Sequence, residues 1–400
     1  MKLFRFIRVS VYIILIQSRL IFSASSDPVF GENGMVVSAS HQASQAGVEI
    51  LKKGGNAVDA AVTVGFVLAV TSSANGNIGG GGFMVSALSD GSVFSLDYRE
   101  KAPAAAHRDM YLDPDGDIVE GMSLYSRAAS GVPGSVDGLL KALADYGSGN
   151  INRRQALAPA IRLAEEGFIL SHYEATRLNH NKDLFKQNEA AAEIFVRKDG
   201  RSWKAGDRLI QADLARTLKR ISKHGRDGFY RGHVADLIVA EMKRGNGLIS
   251  HEDLKNYSSV YRTPVTGSFH EYGILSMGPP SSGGALLVNM MNMLENYTLD
   301  TLGWNSSDYV HLLTEIERRA YADRAEHFGD PEYWAVPMEM LTSKTYAASR
   351  TGDISMNKAT PSSSVSASEP FGYESRETTH YSVADKEGNA VSVTTTINLS

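Results

Sequence analysis

The stretch from Glu377 to Asn398 constrains the fold of this chain more than any other. Two runs of strand-forming residues, Thr378 to Ala384 and Ala390 to Asn398, flank the polar link Asp385-Lys386-Glu387-Gly388-Asn389. Short polar links of this kind join antiparallel strands. Side chains on a strand alternate between faces with period two. Parity therefore puts Tyr381, Val383, Val391, Val393 and Ile397 on one face, the buried one, and Thr378, His380, Ser382, Ser392, Thr394, Thr396 and Asn398 on the other. With a loop from Asp385 to Asn389 the pairing is symmetric about Glu387, and Thr378 falls opposite Thr396. A loop one residue longer or shorter would shift that register.

A row of hydroxyls is ordinary on the solvated face of an antiparallel strand, so the polar face alone decides little. What precedes it decides more. Residues Thr360 to Pro370 form a Ser-rich run, read as a mobile segment. A mobile segment feeding a strand that opens on threonine is what a self-cleaving precursor needs. Cutting before Thr378 would place a new α-amine beside its own hydroxyl, and an α-amine of pKa roughly 7.7–8.0 is a usable general base near neutral pH.

Length and composition set the outer limits. Four hundred residues, 42% hydrophobic and 21% charged, are ample for a large core. A formal net charge of -5 with no basic block disfavours nucleic acid as a partner. The absence of cysteine rules out disulfides, thiolate zinc sites and a cysteine nucleophile. The eleven histidines show no metal-ligand spacing, and no metal or cofactor is expected. Residues 1–26 carry a basic head (Lys2, Arg5, Arg8), an apolar stretch from Val9 to Ile16 and a small-residue exit at Ser23-Ala24-Ser25, the pattern of a secretion signal. The apolar run is short of the ~20 residues of a transmembrane helix, so no stable span is expected, with an uncleaved anchor as the alternative. Export without cysteine fits a bacterial periplasmic or secreted protein.

Along the chain, Met35 to Ser38 reads as a strand and Gln42 to Lys53 as a helix closed by Gly54-Gly55 in left-handed conformations. Asn56 can cap a second helix, Ala57 to Val70, apolar nearly all round and hence central. The glycine run Gly76 to Gly82 lacks a following Gly-Lys-Ser/Thr and continues into a strand. It is read as close backbone packing rather than a phosphate loop. Phe83 to Leu88 and Val93 to Tyr98 form a hairpin. Asp113-Pro114-Asp115-Gly116-Asp117 imitates a calcium loop with the glycine misplaced and Leu124 at the twelfth position, so it is read as a turn. Helices are expected over Val136–Tyr146, Arg153–Glu166, Gln211–Ser222, Gly232–Met242, Ala285–Asn296 and Asp308–His327, with strands within Tyr261–Met277. Arg99 ends a strand, where an arginine is ordinarily a solvated charge. Helices and antiparallel pairs without regular alternation indicate an α+β layered fold.

Thr378-Thr379-His380-Tyr381-Ser382-Val383 followed by Asp385-Lys386-Glu387-Gly388-Asn389-Ala390-Val391 resembles the start of the small subunit of γ-glutamyltranspeptidases, which are N-terminal-nucleophile hydrolases. Other pieces resemble the family in matching order: Gly54-Gly55-Asn56-Ala57-Val58-Asp59-Ala60-Ala61, the run Gly76 to Phe83, Asp97-Tyr98-Arg99-Glu100-Lys101-Ala102-Pro103, Gly131-Val132-Pro133-Gly134, Pro279-Pro280-Ser281-Ser282-Gly283-Gly284 and Tyr321-Ala322-Asp323-Arg324. The resemblance runs from about Gly31 to the last residue.

It implies a four-layer αββα sandwich built from two pieces of one precursor: a signal at 1–26, a large subunit over 27–377 with a processing segment at 360–377, and a small subunit from 378. It implies cleavage between Glu377 and Thr378. Thr378 would be the nucleophile and Thr396 its hydrogen-bond partner. Arg99 would bind the substrate's α-carboxylate, a match of fork to carboxylate, and Asn398 would contact the substrate's amino-acid end. The implied activity takes the γ-glutamyl group from glutathione or a related amide and passes it to water, amino acids or peptides. Two rivals stand beside it, an acylase of the same fold acting on another amide and a catalytically dead product. Family members continue beyond the point where this sequence stops, supplying an aspartate, a serine pair and a glycine pair to the site. The resemblance thus implies a sandwich incomplete at its C-terminal end.

Overall fold

The computed structural model describes residues 28–366 and 378–397. The signal-like segment, residues 367–377 with Glu377, and Asn398 lie outside the described residues. Met1–Asn33 and Gly34–Ser400 are two separate units. Of the first, residues 28–33 are described and are irregular.

The second unit is organised by the helix that the sequence makes apolar all round. It follows β1 (Gly34–Val37) and α1 (His41–Lys52), and spans Ala57–Thr71 as α2 with every residue buried. Asn56 and Asp59 close a capping box at its start, satisfying N–H groups that a helix terminus otherwise leaves open. Gly54 is left-handed at φ 85°, but Gly55 is not. A Cβ on Gly55 would lie 2.7 Å from Ile50 Cγ2, so the second glycine answers to close packing and not to a helix cap.

Against α2 lies one face of a six-stranded antiparallel sheet. Its members are β1, β2 (Gly81–Ala87), β3 (Val93–Asp97), β4 (Val260–Arg262), β7 (Thr379–Asp385) and β8 (Ala390–Thr396), in the order β1-β7-β8-β2-β3-β4. A separate hairpin, β5 (Val265–Phe269) and β6 (Tyr272–Ser276), forms a thin second sheet whose β6 lies against β2. The strand-rich run after Tyr261 is thus divided between two sheets, with Thr263 and Pro264 at the division. Proline has no N–H to give a ladder.

Helices α3 (Ser135–Tyr146), α4 (Arg153–Glu166), α5 (Ala212–His224) and α6 (Gly232–Arg244) join α1 and α2 around the larger core. On the other side α7 (Gly283–Leu294) packs on β5 and β6, with α8 (Ser307–His327) and α9 (Lys344–Thr351) beyond it around Leu286, Met293, Leu312 and Ile316. The order of layers is helix, sheet, thin sheet, helix. Shorter helices at His172–His180, Lys182–Phe185 and Glu189–Phe195 complete the helical middle of the chain. Asp113 Oδ1 accepts the N–H groups of Asp115 and Asp117, which makes that segment a turn. Among the described residues no helix is long and apolar enough to cross a membrane.

Candidate functional site

The site is built from the C-terminal hairpin upward. Its ladder runs from Ala384↔Ala390 to Thr379↔Thr395, symmetric about Glu387, as a loop from Asp385 to Asn389 requires. Asp385 fixes the turn. Its Oδ1 accepts the N–H groups of Glu387 (3.1 Å) and Asn389 (2.9 Å), while its Oδ2 accepts Asn389 Nδ2 (2.7 Å) and the N–H of Ala57 (2.8 Å). The turn carboxylate therefore sits on the N-terminus of α2, where the helix dipole favours negative charge. Tyr381, Val383, Val391 and Val393 face the core. Thr379 and Thr395 share that face and are buried as well. Ile397, one residue past the end of β8, is 38% exposed.

Continuing the ladder by one residue puts Thr378 across from Thr396. Thr378 is exposed and stands immediately before β7. Thr396 ends β8 and pairs on its other side with Gly81. The glycine run makes this approach possible. A Cβ on Gly80 would lie 2.3 Å from the carbonyl oxygen of Thr396, and one on Gly76 would lie 2.2 Å from that of Leu68.

Asn77 holds the run against the hairpin, a role that sequence reasoning missed. Its Nδ2 donates to Thr395 Oγ1 (3.1 Å) and to the Thr396 carbonyl (2.9 Å), and its Oδ1 accepts from the Gly80 N–H (2.8 Å) and Ser135 Oγ (2.6 Å). Thr395 Oγ1 in turn donates to the Gly81 carbonyl at 2.7 Å. One small side chain thus joins β8, the glycine run and the start of α3. The only sequence signal was an amide standing inside a glycine-rich loop.

Arg99 and Thr396 line the same cavity, of about 500 Å³, together with Glu100, Lys101, Ser123, Ser126 and Ser130. The main chain at Arg99 is clamped on both sides. Its N–H donates to Asp97 Oδ1 (3.0 Å) and its carbonyl accepts from Tyr257 Oη (2.8 Å), while Asp97 Oδ2 pairs with Arg262 Nε at 2.7 Å. The Arg99 side chain stays exposed, its guanidinium 5.9 Å from the centre of the Phe83 ring. Burial pushes the Glu100 carboxyl above its ordinary range, against the pull of main-chain hydrogen bonds and of Arg99. Thr378 is not among the residues lining this cavity. The structure brings Arg99 and Thr396 together, with Thr378 one strand across. Chemically, the cavity offers a two-pronged cation and a row of hydroxyls, a setting for a small carboxylate-bearing substrate. Among the described residues no cluster of His, Asp or Glu could hold a metal ion.

The layer order and the hairpin-led site define the class, an α+β protein with the αββα sandwich of N-terminal-nucleophile hydrolases. Residues 43–400 match the family model described as Gamma-glutamyltranspeptidase, and the chain belongs to that family. It is 46% identical over 372 residues to the glutathione hydrolase proenzyme of Escherichia coli K12, covering 93% of this chain and 64% of that protein. It is 38% identical over 384 residues to the acylase ACY 1 proenzyme of Pseudomonas sp. SE83, covering 94% of this chain and 67% of that protein. The fold superposes on the crystal structure of Helicobacter pylori gamma-glutamyltranspeptidase with a TM-score of 0.83 and 40% identity, over 88% of this chain and all of that one. This chain spans 64–65% of the length of the first curated relatives it matches.

Proposed function

We propose that this protein is the precursor of a γ-glutamyltransferase and glutathione hydrolase that cuts itself before Thr378. The observation that supports the reading is the hairpin register, which runs to Thr379↔Thr395 and, continued by one residue, would bring Thr378 opposite Thr396, while Thr396 shares a cavity with Arg99. In maturation the Thr378 hydroxyl attacks the Glu377 carbonyl, the acyl group moves from nitrogen to oxygen, and water releases the ester. The large piece over 27–377 and the small piece from 378 stay together, because β7 and β8 lie in the middle of the six-stranded sheet.

In catalysis the same hydroxyl, with the new α-amine as base, attacks the γ-amide of glutathione or a related compound. The tetrahedral adduct expels the amine, which takes its proton from the α-ammonium, and a γ-glutamyl ester remains. Water, an amino acid or a peptide then accepts the acyl group. Arg99 grips the α-carboxylate, Thr396 hydrogen-bonds the nucleophile or its amine, and Asn398 contacts the amino-acid end of the substrate. The basic, apolar and small-residue pattern of 1–26 directs the protein to the periplasm or the medium.

Likeness to an acylase proenzyme supports a second reading, an amide other than γ-glutamyl as substrate. The test is turnover of γ-glutamyl-p-nitroanilide by the processed protein. Release of p-nitroaniline, abolished by Thr378→Ala, is expected. Cleavage of a β-lactam side-chain amide with no turnover of the anilide would favour the acylase.

A further inference from the structure

The pairing of β2 with β3 ends at Tyr98, whose N–H donates to the Gly82 carbonyl at 3.0 Å. Arg99 comes next, and side chains take both of its main-chain groups, Asp97 the N–H and Tyr257 the carbonyl. Its guanidinium is exposed on a long flexible stem, so it is aimed only as well as the main chain beneath it is fixed. Tyr257 is itself held from several sides. It follows the helix His251–Asn256 and is 4% exposed. Its ring stacks on that of Tyr230, with centres 5.8 Å apart and planes at 5°. Arg226 donates to the Tyr257 carbonyl, and Arg226 Nε pairs with Asp137 Oδ1 at 2.7 Å. Asp137 Oδ2 accepts the N–H (2.8 Å) and Oγ (2.7 Å) of Ser259, two residues further on. Gly134 leaves room for the phenol, since a Cβ there would collide with Tyr257 Oη. Burial, then the nearby Tyr230 and the carboxylates of Asp97, Asp137 and Glu100, push that phenol above its ordinary range, so the proton it donates stays in place.

We infer that Tyr257 is a positioning residue for Arg99: its phenol, held in place through the Asp137–Arg226 pair, fixes the main chain from which the guanidinium reaches the substrate's α-carboxylate. The inference rests on the function proposed above, because the placement of Arg99 matters only if it meets a carboxylate. Tyr257 is not among the described residues lining the polar cavity, so it acts on the substrate through Arg99. A two-pronged contact depends on direction as well as distance, and a displacement of about 1 Å can cost on the order of 10²-fold. Losing one of two clamps loosens the Arg99 main chain and leaves its charge where it was. The effect therefore falls on substrate binding. Self-cleavage, which binds no free carboxylate, does not draw on it. Tyr230 provides the contrast. Its Oη donates to the Pro133 carbonyl at 2.8 Å, so it is a buried, hydrogen-bonded tyrosine of the same cluster whose hydroxyl does not bond to Arg99.

The experiment measures kcat and KM for γ-glutamyl-p-nitroanilide with the processed wild type, Tyr257→Phe and Tyr230→Phe, with thermal unfolding of each as the check on folding. Tyr257→Phe keeps the ring and its stacking and removes one hydrogen bond, so KM should rise about three- to tenfold with kcat within about twofold. Tyr230→Phe should leave KM within about twofold even where it lowers stability. In an Arg99→Ala background no side chain remains to be placed, and adding Tyr257→Phe should change kcat/KM by less than about twofold. Should Tyr257→Phe fail to fold, Asp97→Asn loosens the other clamp and should give the same rise in KM. An unchanged KM in folded, active Tyr257→Phe overturns the positioning role alone, and so does an equal rise in Tyr230→Phe or a full further loss in the Arg99→Ala background. A wild type that does not turn over the anilide overturns the proposed activity and this inference with it.

Discussion

The side-chain amide of Asn77 donates to the main-chain carbonyl of Thr396 at 2.9 Å, across 319 residues of sequence. The same side chain satisfies the Gly80 N–H and Ser135 Oγ, so the end of β8 is held by a group that both donates and accepts. Asn77→Ala leaves these buried partners unmet. A loss of about 2–4 kcal/mol follows from unsatisfied buried groups at about 1–3 kcal/mol each, to be measured by urea unfolding. Self-cleavage should slow in parallel, since Thr378 immediately precedes β7, which pairs with the strand that Asn77 anchors. Normal stability with normal cleavage would show that the glycine run holds its place without it.

Arg99→Lys keeps the charge and loses the fork. With roughly 1.5–3 kcal/mol at stake in a charge-assisted hydrogen bond, KM for γ-glutamyl substrates should rise about tenfold or more while kcat changes less. Self-cleavage should be unaffected, because it involves no substrate. An unchanged KM would remove Arg99 from the site.

Tyr381 offers a test of the core. Among the described residues its buried Oη has no hydrogen-bond partner, and a Cβ on Gly65 would come within 2.7 Å of it. Burial pushes its phenol well above the ordinary range. Tyr381→Phe removes an unsatisfied hydroxyl and keeps the ring, so stability should hold or rise by about 1 kcal/mol. A marked loss in thermal unfolding would mean that the hydroxyl has a partner in solution.

Much of this arrangement is legible in the sequence. Period-two alternation together with a loop from Asp385 to Asn389 gives the hairpin register, all-round apolarity gives the burial of α2, and the glycine-rich run gives the close approach at Gly80. What escapes is every contact with no local pattern. Asp385 reaching the N–H of Ala57 across 328 residues and Asn77 reaching Thr396 are single polar residues in turns, and periodicity carries no trace of their partners. Parity also puts Ile397 on the core face, but the sheet stops at Thr396, so the face it belongs to ends before it. Helix α9 went unread because only two of its residues, Ala347 and Thr351, are buried.

Acid should reveal how the start of the proposed processing segment is held. Thr360 donates its N–H to Glu315 Oε1 at 2.8 Å, and Arg319 Nη1 donates to Oε2 at 2.7 Å. Val365, further along, is buried. Burial of Glu315 works against its charge, but the hydrogen bonds from Thr360 and Arg319, with the charge of Arg318, outweigh it and hold the carboxyl at about 2, below its ordinary 4.5. A carboxyl lowered by folding contributes stability that is full above about pH 4.5 and is lost as pH falls through about 2. The stability gap between wild type and Glu315→Gln should therefore be widest near neutrality and narrow between those values. A gap that stays constant from pH 6 to pH 2 would contradict this.

The central claim is that Thr378 cuts the chain on its own N-terminal side. Intact-mass analysis of purified protein, wild type beside Thr378→Ala, tests it most directly. The wild type should yield two fragments, the smaller beginning at Thr378, and the Ala variant a single uncut chain. A Thr378→Ala protein cleaved at the same bond, or a wild type whose new N-terminus lies elsewhere, would contradict the claim.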